Sequence, residues 1–100
     1  MQVVYTERAK KDLAQIKEYF SEVAPHKTDE ILLEILNRVL QLETFPLSGS
    51  EDDFLKSCGL SRRYLVEGNY KIVYRIDGEL IFITQIFDAR QDPNKMALAE

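Results

Sequence analysis

Residues 62–87 read RRYLVEGNYKIVYRIDGELIFITQIF and contain the clearest secondary-structure pattern of the chain. Short runs of β-branched and aromatic residues alternate here with charged residues, a pattern typical of half-buried strands. Two dipeptides in this stretch, Gly68-Asn69 and Asp77-Gly78, suit two-residue hairpin turns. The stretch therefore predicts a three-stranded antiparallel meander, with strands at residues 62–67, 70–76 and 80–87.

Two-residue turns determine which side chains of neighbouring strands share a face of the sheet. In this register one face is apolar and should receive the helices; it carries Tyr70, Ile72, Tyr74, Ile76, Ile81 and Ile83. The opposite face, which we call the second face, mixes charged and apolar side chains; it carries Arg62, Tyr64, Val66, Lys71, Val73, Arg75, Phe82, Thr84 and Ile86.

Two arginines lie directly opposite each other on the second face. Like charges in this arrangement destabilise a sheet by roughly 0.2–1 kcal/mol, so the pair of Arg62 and Arg75 calls for a nearby anion. Asp88 is the internal candidate, because it continues the alternation of Thr84 and Ile86. Carboxylates of a protein partner or phosphates of RNA are the external candidates. The sequence leaves these alternatives open.

The apolar side chains of the second face also need cover. Val66, Val73, Phe82 and Ile86 would otherwise form an exposed patch of the kind that marks an interaction site. The cover is either residues 46–61 of the same chain or a separate protein, and the exposed-patch argument favours the separate protein. We therefore expect a partner segment that combines apolar anchors with acidic groups.

Helical spacing dominates the first half of the chain. A short β-type run, Gln2-Val3-Val4-Tyr5, leads to Thr6, whose hydroxyl is suited to cap a helix. Apolar residues at helical spacing follow until Pro25 breaks the helix. Thr28 is the expected cap of a second helix, which ends at Thr44-Phe45-Pro46. The short connection predicts an antiparallel αα-hairpin.

The second helix has the wider apolar face and is expected to be the more buried of the two. Its apolar face carries Leu32, Ile35, Leu36, Val39, Leu40 and Leu42. Residues 46–61 are rich in Pro, Ser, Gly and acidic side chains, which indicates a long loop. Loops of this length are often functional.

Composition limits the class of protein. A chain of 100 residues with 45% hydrophobic and 30% charged residues is typical of one globular domain, expected here to span residues 1–100. It lacks an apolar run of the roughly 20 residues that span a bilayer, so we expect a cytoplasmic protein without membrane contact. Cys58 has no partner for a disulfide or a zinc site, and no cofactor or metal is expected.

The net charge of −4 argues against a protein that covers nucleic acid with positive charge. The acidic excess lies in residues 1–61, whereas residues 62–100 contain equal numbers of acidic and basic side chains. The arginine-bearing meander is therefore locally different from the chain as a whole.

The order of elements and three stretches of sequence resemble the RelE/ParE toxin superfamily. These stretches are GNYKIVYRI at 68–76, IFDARQDP at 86–93 and YTERAKKDL at 5–13. The resemblance covers essentially the whole chain and implies an α+β fold of one strand, a helical hairpin and a three-stranded meander. It also implies the toxin of a type II toxin–antitoxin pair, of the kind that stabilises plasmids. A cognate antitoxin would bind this toxin and connect it to DNA only indirectly.

Within the superfamily the resemblance leaves three functions open. ParE-like members inhibit DNA gyrase and RelE-like members cleave mRNA on the ribosome; the third alternative is that this chain is a degenerate member that binds antitoxin but is not toxic. For a nuclease, the candidate cations are Arg62, Arg63, Lys71, Arg75 and Arg90. The partner-binding surface is the second face together with Asp88 and Arg90.

The acid–base group that RNA cleavage requires is poorly represented. Nuclease members commonly place His, Tyr or several Lys near the last strand, where this chain has Phe87-Asp88. His26 lies in the predicted turn between the helices, far from the meander. Because the net charge is also acidic, we favour a ParE-like inhibitor that acts by protein–protein contact.

Overall fold

The computed structural model describes residues 1–98, which form five strands, three α-helices and two short 3-10 turns. In chain order these elements are β1 (Gln2–Tyr5), α1 (Glu7–Val23), a 3-10 turn (Pro25–Lys27), α2 (Thr28–Thr44), β2 (Ser50–Glu51), α3 (Asp53–Ser57), β3 (Arg63–Glu67), β4 (Tyr70–Asp77), β5 (Leu80–Asp88) and a 3-10 turn (Pro93–Lys95). The strands form one sheet in the order β1-β5-β4-β3-β2. The predicted strand, helical hairpin and meander are confirmed.

The starts of the two long helices differ from each other. Thr6 caps α1 as predicted, because its Oγ1 accepts a hydrogen bond from the Ala9 amide at 3.2 Å. The predicted cap at Thr28 is wrong: the 3-10 turn runs directly into α2, so that Thr28 is its first residue and Lys27 stands at the cap position. None of the helices in residues 1–98 is long and apolar enough to cross a membrane.

The hydrophobic core lies between the helical hairpin and the apolar face of the sheet, which is opposite the second face. Its buried members are Ala9, Ile16, Ile35, Val39, Leu42, Leu65, Tyr70, Ile72, Tyr74, Ile81, Ile83 and Ile86. The predicted apolar face is thus confirmed except at Ile76, which is 37% exposed. The predicted burial of Leu36 and Leu40 is wrong, because α2 turns only one side of its apolar surface toward the sheet.

The hairpin registers agree with the prediction in one case and differ in the other. Strand β3 pairs with β4 as expected, with Tyr64 opposite Val73. The second turn consists of Gly78-Glu79 rather than Asp77-Gly78, so Asp77 lies opposite Leu80. Gly78 has a φ of +60°, which this tight turn requires at its first position. The resulting shift by two residues leaves the assignment of faces unchanged.

A β-bulge in β5 does change the faces. Tyr74 pairs with Ile83 and Val73 pairs with Gln85, so Thr84 is an extra residue with no opposite residue in β4. Beyond it the alternation reverses, and Ile86 lies opposite Ile72 on the helix side. The predicted placement of Ile86 and Asp88 on the second face is therefore wrong.

The beginning of α1 binds the bulged backbone. The Thr6 hydroxyl donates to the carbonyl of Ile83 at 2.9 Å, with the Thr84 carbonyl at 3.2 Å. The buried Asp12 carboxylate accepts from the Ile86 amide at 2.9 Å and from Arg8 Nε at 3.0 Å. A bulge leaves backbone groups without ladder partners, and these side chains replace the missing partners.

Candidate partner-binding surface

The middle of the second face is covered by the protein's own chain. Leu55 of α3 and Met96 pack against Val73 and Phe87 to form a second buried cluster. The expected loop at 46–61 is wrong, because this segment contains β2 and α3. The expectation that Val73 and Thr84 are open to a partner is also wrong: they are 0% and 2% exposed.

Helix α3 is fixed to the second face by one buried carboxylate. Asp52 is 1% exposed, and its Oδ1 accepts from the Leu55 amide at 2.9 Å, which caps the helix. Its Oδ2 lies 2.8 Å from Lys71 Nζ, and the Lys71 ammonium lies 4.3 Å from the centre of the Tyr64 ring. Lys71 and Tyr64 therefore support the structure of this segment.

The segment after β5 is also bonded to the sheet. Gln85 is 2% exposed; its side-chain Nε2 donates to the Ala97 carbonyl at 2.8 Å, and its Oε1 accepts from the Ala97 backbone amide at 2.9 Å. These paired hydrogen bonds place Met96 over the second face. The chain itself thus provides, with α3 and the segment around Met96, cover that the sequence analysis assigns to a partner.

One end of the second face remains accessible. There Val4 of β1 lies opposite Phe82 of β5, and Phe82 lies opposite Arg75 of β4. Arg62, the residue just before β3, is close enough to Arg75 for their charges to interact, and all four residues are half-exposed. We call these four residues the arginine row. The Arg75 guanidinium carbon lies 4.2 Å from the centre of the Phe82 ring, within the range of a cation–π contact. The row therefore combines two cations with an apolar surface.

The two guanidinium groups of the arginine row are close enough to influence each other. Burial lowers the pKa of Arg62, and the charge of Arg75 lowers this pKa further. Arg62 donates to the Ser61 carbonyl at 3.0 Å, and Arg75 lies 3.6 Å from the exposed carboxylate of Asp77. The prediction that the two arginines are neighbours on one face is consistent with these contacts.

Asp88 does not neutralise the arginine row. Its carboxylate binds Arg90 instead, at 2.7 and 3.0 Å, and this hydrogen bonding lowers the pKa of Asp88. Asp88 lies opposite Tyr70, at the other end of the sheet from Arg75. Five residues of β4 separate those ends, or roughly 17 Å. The internal-anion alternative is therefore wrong.

The remaining candidate cations are dispersed. Arg63 donates to the Gly49 carbonyl at 2.7 Å and lies opposite Tyr74, on the helix side of the sheet. Arg90 is at the far end of β5, and Lys71 is bonded to Asp52. The five cations proposed for a nuclease thus do not converge on one reaction centre.

The side chains considered for other chemistry are dispersed as well. His26 is exposed in the 3-10 turn between α1 and α2, and Cys58 is exposed after α3. Within residues 1–98, no three His, Cys, Asp or Glu side chains are grouped closely enough to hold a metal ion. The accessible surface with the most distinctive chemistry on the second face is the arginine row.

Comparisons with known proteins agree with this architecture. The model of one family, described as the ParE toxin of the type II toxin–antitoxin system parDE, matches residues 3–93. A solved structure of the chromosomal ParDE toxin–antitoxin system from P. aeruginosa has a similar fold, with a TM-score of 0.70 and 21% sequence identity. That match covers 86% of this chain and 92% of the other. No curated protein matches the sequence. The predicted resemblance is confirmed, and the chain belongs to the ParE toxin family of type II toxin–antitoxin systems.

Proposed function

We propose that this protein inhibits growth by binding DNA gyrase, and that an antitoxin neutralises it by binding the arginine row. The family membership supports the gyrase target, which is typical of ParE toxins. The mixed charged and apolar surface of the arginine row supports recognition of the antitoxin by protein–protein contact. Two neighbouring guanidinium groups favour a partner that brings carboxylates, because a carboxylate accepts paired, charge-assisted hydrogen bonds from a guanidinium group.

The apolar members of the arginine row define the partner further. Phe82 and Val4 are half-exposed beside the two cations, and Val66 of the same face is 49% exposed. An antitoxin segment with acidic residues next to apolar anchors matches this composition. The net charge of −4 also favours a protein target over a target dense in phosphate.

A ribosome-dependent nuclease is the second candidate, and one cleft favours it. This cleft has a volume of about 360 Å³ and brings Arg8, Tyr19, Tyr70 and Arg90 together between α1 and the end of β5. At neutral pH, however, this cleft lacks an effective general base for RNA cleavage. Burial and the Asp88 charge raise the pKa of Tyr70, which makes its phenol a poor general base. Arg90 is already bonded to Asp88.

Purified protein in excess should abolish supercoiling by DNA gyrase. The antitoxin, which we expect the neighbouring reading frame to encode, should restore supercoiling. Ribosome-bound mRNA incubated with the same protein should remain intact. In cells, expression of the chain should slow growth and coexpression of the neighbouring product should rescue it.

Each other outcome identifies a different function. Cleavage of mRNA without inhibition of gyrase would replace our proposal with the nuclease. Unaltered growth at confirmed expression, with the antitoxin still bound in vitro, would identify a homologue that has lost toxicity.

A further inference from the structure

Helix α2 exposes a row of leucines on the side opposite the core. Leu33, Leu36 and Leu40 are 57%, 37% and 55% exposed. Residues at these spacings lie on one face of a helix, so the three side chains form a continuous surface, which we call the leucine stripe. Just beyond the helix, Phe45 and Leu47 are 61% and 64% exposed. An apolar surface of this kind marks an interaction site.

The charges around the leucine stripe are mostly acidic. At 100° per residue, Glu30 and Glu34 lie on one side of the stripe, Glu43 lies on the other, and Asp29 is at its amino-terminal end. All four are exposed. Arg38, the single basic residue of α2, is half-buried and donates to Gln41 at 2.9 Å. The stripe is thus an apolar seam between carboxylates.

We propose that the leucine stripe binds an amphipathic helix of a partner protein that carries Lys or Arg beside its apolar seam. Leucines at three- and four-residue spacing are the contact pattern of paired helices, and flanking charges determine which partner is accepted. A second copy of this chain would place Glu30, Glu34 and Glu43 against the same carboxylates, whereas a basic helix pairs with them.

The geometry also gives the length of the partner helix. From Asp29 to Glu43 the axis of α2 extends about 21 Å, which corresponds to roughly four turns of a partner helix. The stripe is on the helix side of the molecule, whereas the arginine row is on the other face of the sheet. Binding of a helix at the leucine stripe is therefore independent of binding at the arginine row.

Two synthetic helical peptides of four turns provide the test. Both have Leu at the spacing of the stripe; one has Lys at the flanking positions and the other has Glu. Fluorescence anisotropy with the full-length protein at physiological salt should show at least tenfold tighter binding of the Lys peptide. The variant with Leu33→Gln, Leu36→Gln and Leu40→Gln should weaken that binding at least tenfold.

Two further variants act as controls. Leu80→Gln with Leu98→Gln changes exposed leucines away from α2 and leaves the net charge unaltered, so it should bind as the wild type does. Glu30→Lys with Glu34→Lys should reverse the preference between the two peptides. Circular dichroism spectra and melting temperatures of all variants establish that the fold is retained.

Three outcomes would overturn the proposal. Equal binding of both peptides would exclude charge complementarity. Unchanged binding of the Lys peptide to the triple Leu→Gln variant would indicate attraction to the overall negative charge only. A wild-type dimer in sedimentation velocity, absent from the triple variant, would identify a second copy as the occupant.

Discussion

Gly49→Ala should lower the free energy of unfolding by about 3 kcal/mol, or the melting temperature by roughly 15 °C. A Cβ at this position would lie 2.6 Å from Tyr74 Oη and 2.7 Å from the Tyr64 carbonyl oxygen. Neither atom is able to move aside at low cost, because Tyr74 is fully buried and the Tyr64 carbonyl belongs to β3. The displacement would also break the hydrogen bond from the Gly49 amide to Tyr74 Oη, at 2.9 Å.

Gly59→Ala is the matched control for this variant. Gly59 has a φ of +85°, and nothing lies within 4 Å of an added Cβ, so only the backbone strain of about 1–2 kcal/mol applies. Chemical denaturation of both variants gives the comparison. If Gly49→Ala costs no more than Gly59→Ala, the close packing of Gly49 against Tyr74 is not as described.

Asp52→Ala should lower the free energy of unfolding by about 2–3 kcal/mol. The substitution removes the cap of α3 and leaves the Lys71 ammonium, whose side chain is 23% exposed, without its carboxylate. The value is below that of a fully buried ion pair, because water reaches Lys71. Asp52→Asn keeps an oxygen for the Leu55 amide and should cost about half as much.

Urea denaturation of a double-mutant cycle measures the Asp52–Lys71 contact. Lys71→Met in the Asp52→Ala background should recover at least about 1 kcal/mol, because the unpaired charge is gone. Glu51→Ala is the control, since its exposed ion pair with Lys56 at 3.5 Å should contribute less than about 0.5 kcal/mol. An equal effect of Asp52→Ala and Glu51→Ala would contradict the role of Asp52 in fixing α3.

The elements that the sequence predicts correctly are those with strong local signals. Thr6 at the start of α1, Pro25 between the helices and Gly68 in the first hairpin turn each act within a few residues. The alternation of side chains between the two faces along β4 predicts that Ile72 and Tyr74 are in the core, and this prediction needs no information from distant residues. The arginine pair follows from the same local reasoning, because the β3–β4 turn alone determines its register.

The elements that escape prediction depend on residues distant in sequence. The bulge at Thr84 is stabilised by Thr6 and Asp12, more than 70 positions away, so nothing near it signals the reversal of faces. The consequence is the wrong placement of Ile86 and Asp88. Val4 was absent from the predicted site for a related reason: the pairing of β1 with β5 is not visible in either strand alone.

Helix α3 is a different kind of omission. Its local signal was present, since Asp52 stands before Asp53-Phe54-Leu55 as a cap stands before a helix. A composition rich in turn-forming residues concealed it. A helix that begins at this cap implies that residues 46–61 cover Val73 rather than leaving it to a partner.

The affinity of the cognate antitoxin for an Arg62→Ala, Arg75→Ala double variant shows whether the arginine row is the recognition site. Removal of both cations should weaken the complex about a hundredfold, because each substitution removes charge-assisted contacts with the partner's carboxylates. Lys10→Ala with Lys17→Ala changes the net charge by the same amount at exposed positions of α1 and should bind nearly as the wild type does. Equal affinities of the two double variants, measured by calorimetry on folded proteins, would contradict recognition through the arginine row.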